Sequence, residues 1–136
     1  MELFTRIAVA ALVCMLAGCA TTPTPTASTE RGSHLNRALI TPRPGSGVIL
    51  VKRDSGFMGG GCSHRIHLDG EPAAELRVGQ AAVLYAAPGE HVLSAVATGI
   101  CDGISEAVVN VEAGKRKSLR SGYDGNGNIR LQPTAF

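Results

Sequence analysis

Apolar residues occur along this chain in two textures. Ile7–Leu16 (IAVAALVCML) is an unbroken apolar run. From Gly47 onward the apolar positions instead come in short runs or alternate with polar ones, the period-2 signature of strands. Val48–Val51 (VILV) predicts a buried strand, and Ser63–Leu68 alternates. Ala73–Arg77, Ala81–Ala86, His91–Ala97, Ala107–Val111, Arg116–Ser121 and Ile129–Gln132 complete the set. Turn chemistry separates them: Asp69-Gly70-Glu71-Pro72, Val78-Gly79-Gln80, Pro88-Gly89-Glu90, Glu112-Ala113-Gly114-Lys115 and Asp124-Gly125-Asn126-Gly127. Seven or eight short strands at this spacing, with no convincing periodic helix, predict an all-β antiparallel sandwich of immunoglobulin-like type over residues 47–136.

The first run reads differently. Arg6 precedes it and small residues follow it, the plan of a secretory signal peptide, and at roughly half the bilayer's hydrocarbon thickness it is too short to span. Leu16-Ala17-Gly18-Cys19 resembles the lipobox of bacterial lipoproteins. That resemblance implies cleavage of residues 1–18, diacylglycerol on the Cys19 sulfur and acylation of the new amino group with a palmitate-type chain. Acyl chains contribute about 0.8 kcal/mol per buried methylene, enough for two or three to hold a protein on a membrane. The resemblance to proteobacterial lipoproteins also implies a bacterial outer-membrane address, because Ala20 stands where retention at the inner membrane would call for Asp. Residues 19–46 are expected to be a lipidated tether. Its Ala20–Glu30 part is Thr, Pro, Ser and Ala without apolar periodicity, predicting a semi-extended spacer. In Arg31–Ser46, Leu35, Ala38, Leu39 and Ile40 hint at one helical turn, which either packs on the domain or continues the tether.

Within the domain, the order Ile66-His67-Leu68-Asp69-Gly70, Glu75-Leu76-Arg77-Val78-Gly79, Ala87-Pro88-Gly89-Glu90-His91-Val92-Leu93 and Val109-Asn110-Val111-Glu112-Ala113-Gly114-Lys115 is similar to PEGA-type surface β-modules and to small bacterial lipoproteins of the same layout. The resemblance covers about Gly47–Ser121. It implies an immunoglobulin-like sandwich at the cell envelope and carries no known activity.

Composition bears on function mainly by exclusion. The 136 residues hold 13 basic and 11 acidic side chains, spread along the chain, so no basic stripe points to nucleic acid. Of the four cysteines, Cys14 leaves with the signal and Cys19 takes the lipid. Cys62 and Cys101 remain, and an oxidising exported compartment predicts a disulfide between them rather than two buried free thiols. A metal site from Cys62, His64, His67 and Cys101 is disfavoured by strand parity. Cys62, His64, Ile66 and Leu68 share the inward face while His67 points outward. His64 then reads as a satisfied structural histidine, with a backbone partner or near the mouth of the sandwich. No metal or other cofactor is expected.

Gly56–Ser63 has the glycine spacing of a P-loop, but Cys62 stands where the lysine belongs and a strand follows, so no nucleotide is expected. Its tip, Phe57-Met58, is the candidate contact loop for a partner or a membrane surface. Asp124-x-Asn126-x-Asn128 starts like a calcium loop without the later Gly and Glu, leaving a hairpin turn. Lys115-Arg116-Lys117 is a basic triplet at a turn. No nucleophile elbow or paired acid is present, so no enzyme is expected. The reading is a non-catalytic envelope lipoprotein that binds or braces an envelope protein or glycan. Two alternatives stand beside it. One is a lysozyme inhibitor, for which Ser121-Gly122-Tyr123 is a truncated echo of an inhibitory loop. The other is a phage- or plasmid-encoded exclusion factor acting on an outer-membrane receptor.

Overall fold

A computed structural model describes residues 21–26 and 29–136. The signal segment and Cys19 lie outside the described residues. The fold is an all-β sandwich of two five-stranded sheets. In chain order the elements are β1 (Glu30–Arg31), β2 (Ser33–His34), α1 (Arg37–Ile40), β3 (Gly47–Arg53), β4 (His64–Leu68), β5 (Glu71–Leu76), β6 (Gln80–Ala86), β7 (Gly89–Ala97), β8 (Ile104–Val111), β9 (Arg116–Tyr123) and β10 (Ile129–Pro133). One sheet runs β1-β6-β3-β9-β10 and the other β2-β5-β4-β7-β8. All eight strands expected after Gly47 are present. The pairing is mostly antiparallel, but β1 runs parallel to β6 and β3 parallel to β9.

The alternating apolar positions meet between the sheets. Ile49 and Val51, Ile66 and Leu68, Ala82 and Leu84, Leu93 and Ala95, and Val109 and Val111 point inward and are buried. Much of this interior is alanine, and Tyr123 is its one buried aromatic among the described residues. Small side chains remove less apolar area per residue than leucine or phenylalanine, so covalent and polar links carry more of the burden. One such link is the Cys62–Cys101 disulfide, with Cα atoms 6.0 Å apart. Closing a loop of 39 residues this way contributes about 4 kcal/mol in the chain-entropy account. It does not cross between the sheets. Cys62 precedes β4 and Cys101 lies in the β7–β8 connection, so it ties two loops at one end of the same sheet.

Residues 21–26 and 29–46 are not a spacer. They lie along the sandwich, which corrects the tether reading wherever the chain is described. The Thr22 and Ser55 backbones exchange two hydrogen bonds, at 2.8 and 2.9 Å. Further on, β1 covers the β6 edge of one sheet and β2 the β5 edge of the other. Gly32 is the crossing between them. A Cβ there would stand 2.3 Å from Leu76 Cδ2 and 2.8 Å from Glu75 O, so only glycine fits. Short strands laid over exposed edges block further strand addition. The expected helical turn is α1. Asn36 caps it by accepting from Ala38 N, and Leu39 and Ile40 rest partly buried against the core. The Ala20–Glu30 segment is as poor in apolar residues as a spacer, but the hydroxyls of Thr21, Thr24 and Thr29 bind its described residues by hydrogen bonds.

Candidate functional site

Four chain segments converge on one end of the sandwich: the strap 21–24, the β3–β4 connection with its glycines, the β7–β8 connection, and the end of β9. Each is brought there by an element already described. Strand β3 continues past its apolar run into Lys52 and Arg53, and its alternation drives Arg53 inward and Lys52 outward beneath the strap. The Lys52 Nζ donates to Thr26 Oγ1 at 3.1 Å, and burial pulls its pKa down, with Arg116 adding to the effect.

Arg53, His64 and Ser121 form a fully buried polar cluster. Arg53 Nη1 donates to His64 Nε2 at 2.6 Å and Nη2 donates to Gly59 O at 3.2 Å. The Arg53 guanidinium lies 5.1 Å from the centroid of the Tyr123 ring, and the His64 ring meets the same tyrosine edge-on at 5.2 Å. A guanidinium only donates, so His64 Nε2 accepts, and the neutral imidazole carries its proton on Nδ1. That proton is directed at Ser121 Oγ. Burial, reinforced by the Arg53 charge, lowers the His64 pKa to about 3. Burial likewise lowers the Arg53 pKa, opposed by Tyr123 and Asp54.

This arrangement cannot activate Ser121 as a nucleophile. Both side chains are closed to solvent, so no substrate reaches the hydroxyl, and the shorter guanidinium contact at Nε2 favours the proton on Nδ1, facing Ser121. His64 is therefore a satisfied structural histidine, as expected. Its partners are side chains rather than the backbone, and it lies inside the sandwich rather than at a mouth. Parity in β4 follows the expected alternation: His64, Ile66 and Leu68 are buried and Arg65 is exposed. His67, on the outward face, is half-buried. Among the described residues, no three His, Cys, Asp or Glu side chains come together as metal ligands.

The strap closes over this cluster. Thr21, only 6% exposed, donates through Oγ1 to Asp54 Oδ2 and accepts from Tyr123 N, both at 2.8 Å. Thr24, 4% exposed, donates through Oγ1 to Arg53 O at 3.1 Å. Gly122 makes the room, because a Cβ there would stand 2.1 Å from Asp54 Oδ2 and 2.3 Å from Thr21 Oγ1. Asp54 also pairs with Arg120 at 3.3 Å. Burial raises its pKa, opposed by the Thr21 hydroxyl and then by Arg120, Arg53 and Lys52. Ser121-Gly122-Tyr123 is thus a strand segment whose side chains face the interior, not a presented loop.

The expected contact loop divides. Phe57 is 97% exposed, while Met58 turns back onto the core. Across the disulfide, Ile100 is 99% exposed, a residue the sequence reading did not single out. Its only sequence signal is isolation, an isoleucine between Gly99 and Cys101 where the turn needs no apolar group. Phe57, Ile100, Val78 and the disulfide line one shallow hollow of about 570 Å³.

The other motifs resolve as turns. Asp124 accepts from the Asn126 and Asn128 backbones and from Arg130, closing the β9–β10 hairpin, and these bonds lower its pKa to about 2. Lys115 and Lys117 both donate to Glu112, so two members of the basic triplet are tied to one carboxylate. A second hollow, about 790 Å³, crosses the outer face of the first sheet past Arg31, His34, Leu50, Val83, Tyr85 and Arg116. No helix among the described residues is long and apolar enough to cross a membrane. No protein family, curated protein or solved structure matches the chain.

Proposed function

We propose that this chain is a non-catalytic envelope lipoprotein: residues 1–18 are removed, Cys19 is acylated, and the sandwich is held on the bacterial outer membrane, where it binds or braces an envelope protein or glycan. The observation that carries the reading is Leu16-Ala17-Gly18-Cys19 set directly after a ten-residue apolar run. Lipid transfer needs a thiol at that position, and the only other cysteines of the proposed mature chain are joined to each other. The strap supports the reading by bringing the described chain to within two residues of Cys19 while still part of the fold. The interlocked Asp69-Gly70 and Pro88–His91 turns support kinship with PEGA-type surface modules. His91 contacts Asp69 Oδ2 at 2.6 Å and Val92 N donates to Asp69 Oδ1 at 2.9 Å. The outer hollow by Arg31, His34 and Tyr85 offers mixed polar and aromatic groups suited to a glycan or a polar protein surface.

The test is metabolic labelling with a palmitate analogue in a bacterial host. The wild-type chain takes up label and Cys19→Ser does not. Equal labelling of the two chains would overturn the anchor assignment.

A further inference from the structure

Resting on the lipid anchor proposed above, we infer that the disulfide-bound end of the sandwich faces the bilayer, with Phe57 and Ile100 inserted at the membrane surface. Two large apolar side chains, 97% and 99% exposed, protrude from neighbouring loops that Cys62–Cys101 locks together. They line one hollow with Val78 and the disulfide itself. Isolated exposed apolar residues are ordinary on protein surfaces, whereas two at full exposure on one covalently braced tip make a patch.

The occupant follows from where the chain enters. Thr21 is fixed at this same end: it bonds Asp54 and Tyr123, and its neighbour Thr22 pairs with Ser55. The Thr21 Cα lies so close to Gly56, next to Phe57, that a Cβ on that glycine would approach it to 3.3 Å. Cys19 is two peptide units before Thr21, so its Cα is within about 8 Å of that point. A lipid on Cys19 therefore enters the membrane beside the Phe57–Ile100 tip, and no long spacer is left to hold the domain away. The surface next to the tip is then lipid. Arg77 and Asp102, next in sequence to Val78 and Cys101, carry opposite charges, so the contact is apolar and does not require anionic lipid.

The chain has no tryptophan, which makes single-tryptophan reporters clean. Phe57→Trp and Ile100→Trp place the reporter at the tip. Glu90→Trp places it at the other end of β7, seven residues before Ala97 and roughly 24 Å away. Each full-length variant is purified from membranes, its acylation verified by palmitate label, and reconstituted into phosphatidylcholine vesicles with or without brominated acyl chains. The expected result is a blue-shifted emission for both tip reporters that falls by roughly half with brominated lipid, the depth reached by an interfacial apolar group, with little change for Glu90→Trp. Unquenched tip reporters in acylated protein would overturn the orientation while leaving the lipoprotein reading intact, and equal quenching at all three positions would overturn it too. Absence of acylation from every variant would remove the anchor and this inference together.

Discussion

His64 holds a neutral imidazole between a guanidinium and a hydroxyl, in an interior where a second positive charge has no counter-ion. Its folded pKa, about 3, lies below the 6.5 of an unfolded histidine, so below pH 6.5 the unfolded chain takes up a proton that the folded chain refuses. The stabilisation is complete above 6.5 and is lost progressively as pH falls toward 3, at about 1.4 kcal/mol per pH unit. The prediction is that denaturant-measured stability declines over this window in the wild type and declines more shallowly in His64→Gln. Asp54, whose raised pKa acts in the opposite sense, is common to both proteins, so the difference between the slopes isolates His64. Equal slopes would contradict the neutral, buried assignment. At the surface, His91 works the other way. The hydrogen bond that His91 donates to Asp69 raises its pKa, so its contribution is full below pH 6.5 and is lost as pH rises, with the small size of a partly exposed pair.

Among the elements, the strap departs furthest from what its composition suggests. It contributes almost no apolar area; what fixes it is a set of threonine hydroxyls and backbone groups reaching Asp54, Arg53, Ser55 and Tyr123. Thr21→Val keeps the shape and removes the hydroxyl, taking the acceptor from Tyr123 N and leaving Asp54 Oδ2 with Arg120 alone. We expect a loss of about 1–3 kcal/mol in urea unfolding, with faster amide exchange at Tyr123. An unchanged midpoint would mean that the strap is not part of the folded unit. The eight strands of the sandwich were legible because each pairs an apolar alternation with a turn of recognisable chemistry, as His91–Ala97 does after Pro88-Gly89. Lys52 and Arg53 fall outside the predicted Val48–Val51 strand because charged residues usually mark solvent, yet they continue β3, one lying under the strap and the other inside the sandwich. The disulfide was legible by elimination. The split between Phe57 and Met58 was not, since a glycine-rich loop has no periodicity to say which side chain turns in. Ile100 was missed for the same reason.

At the scale of the molecule, the two sheets, the strap over their edges and the disulfide at one end describe a domain with a distinct pole. There the fold's buried charges, its cross-link, its two most exposed apolar side chains and the entry of its N-terminal chain coincide. The anchor proposed above would lead straight into that pole and seat the protein on its membrane, leaving the hollow on the outer face of the first sheet free. Everything in that account depends on what Cys19 carries. The most direct test is mass spectrometry of the N-terminal peptide of the protein extracted from bacterial membranes. The expected product is a chain beginning at Cys19, bearing a thioether-linked diacylglycerol and an acylated amino group. A chain beginning at any other residue, or an unmodified Cys19, would contradict it.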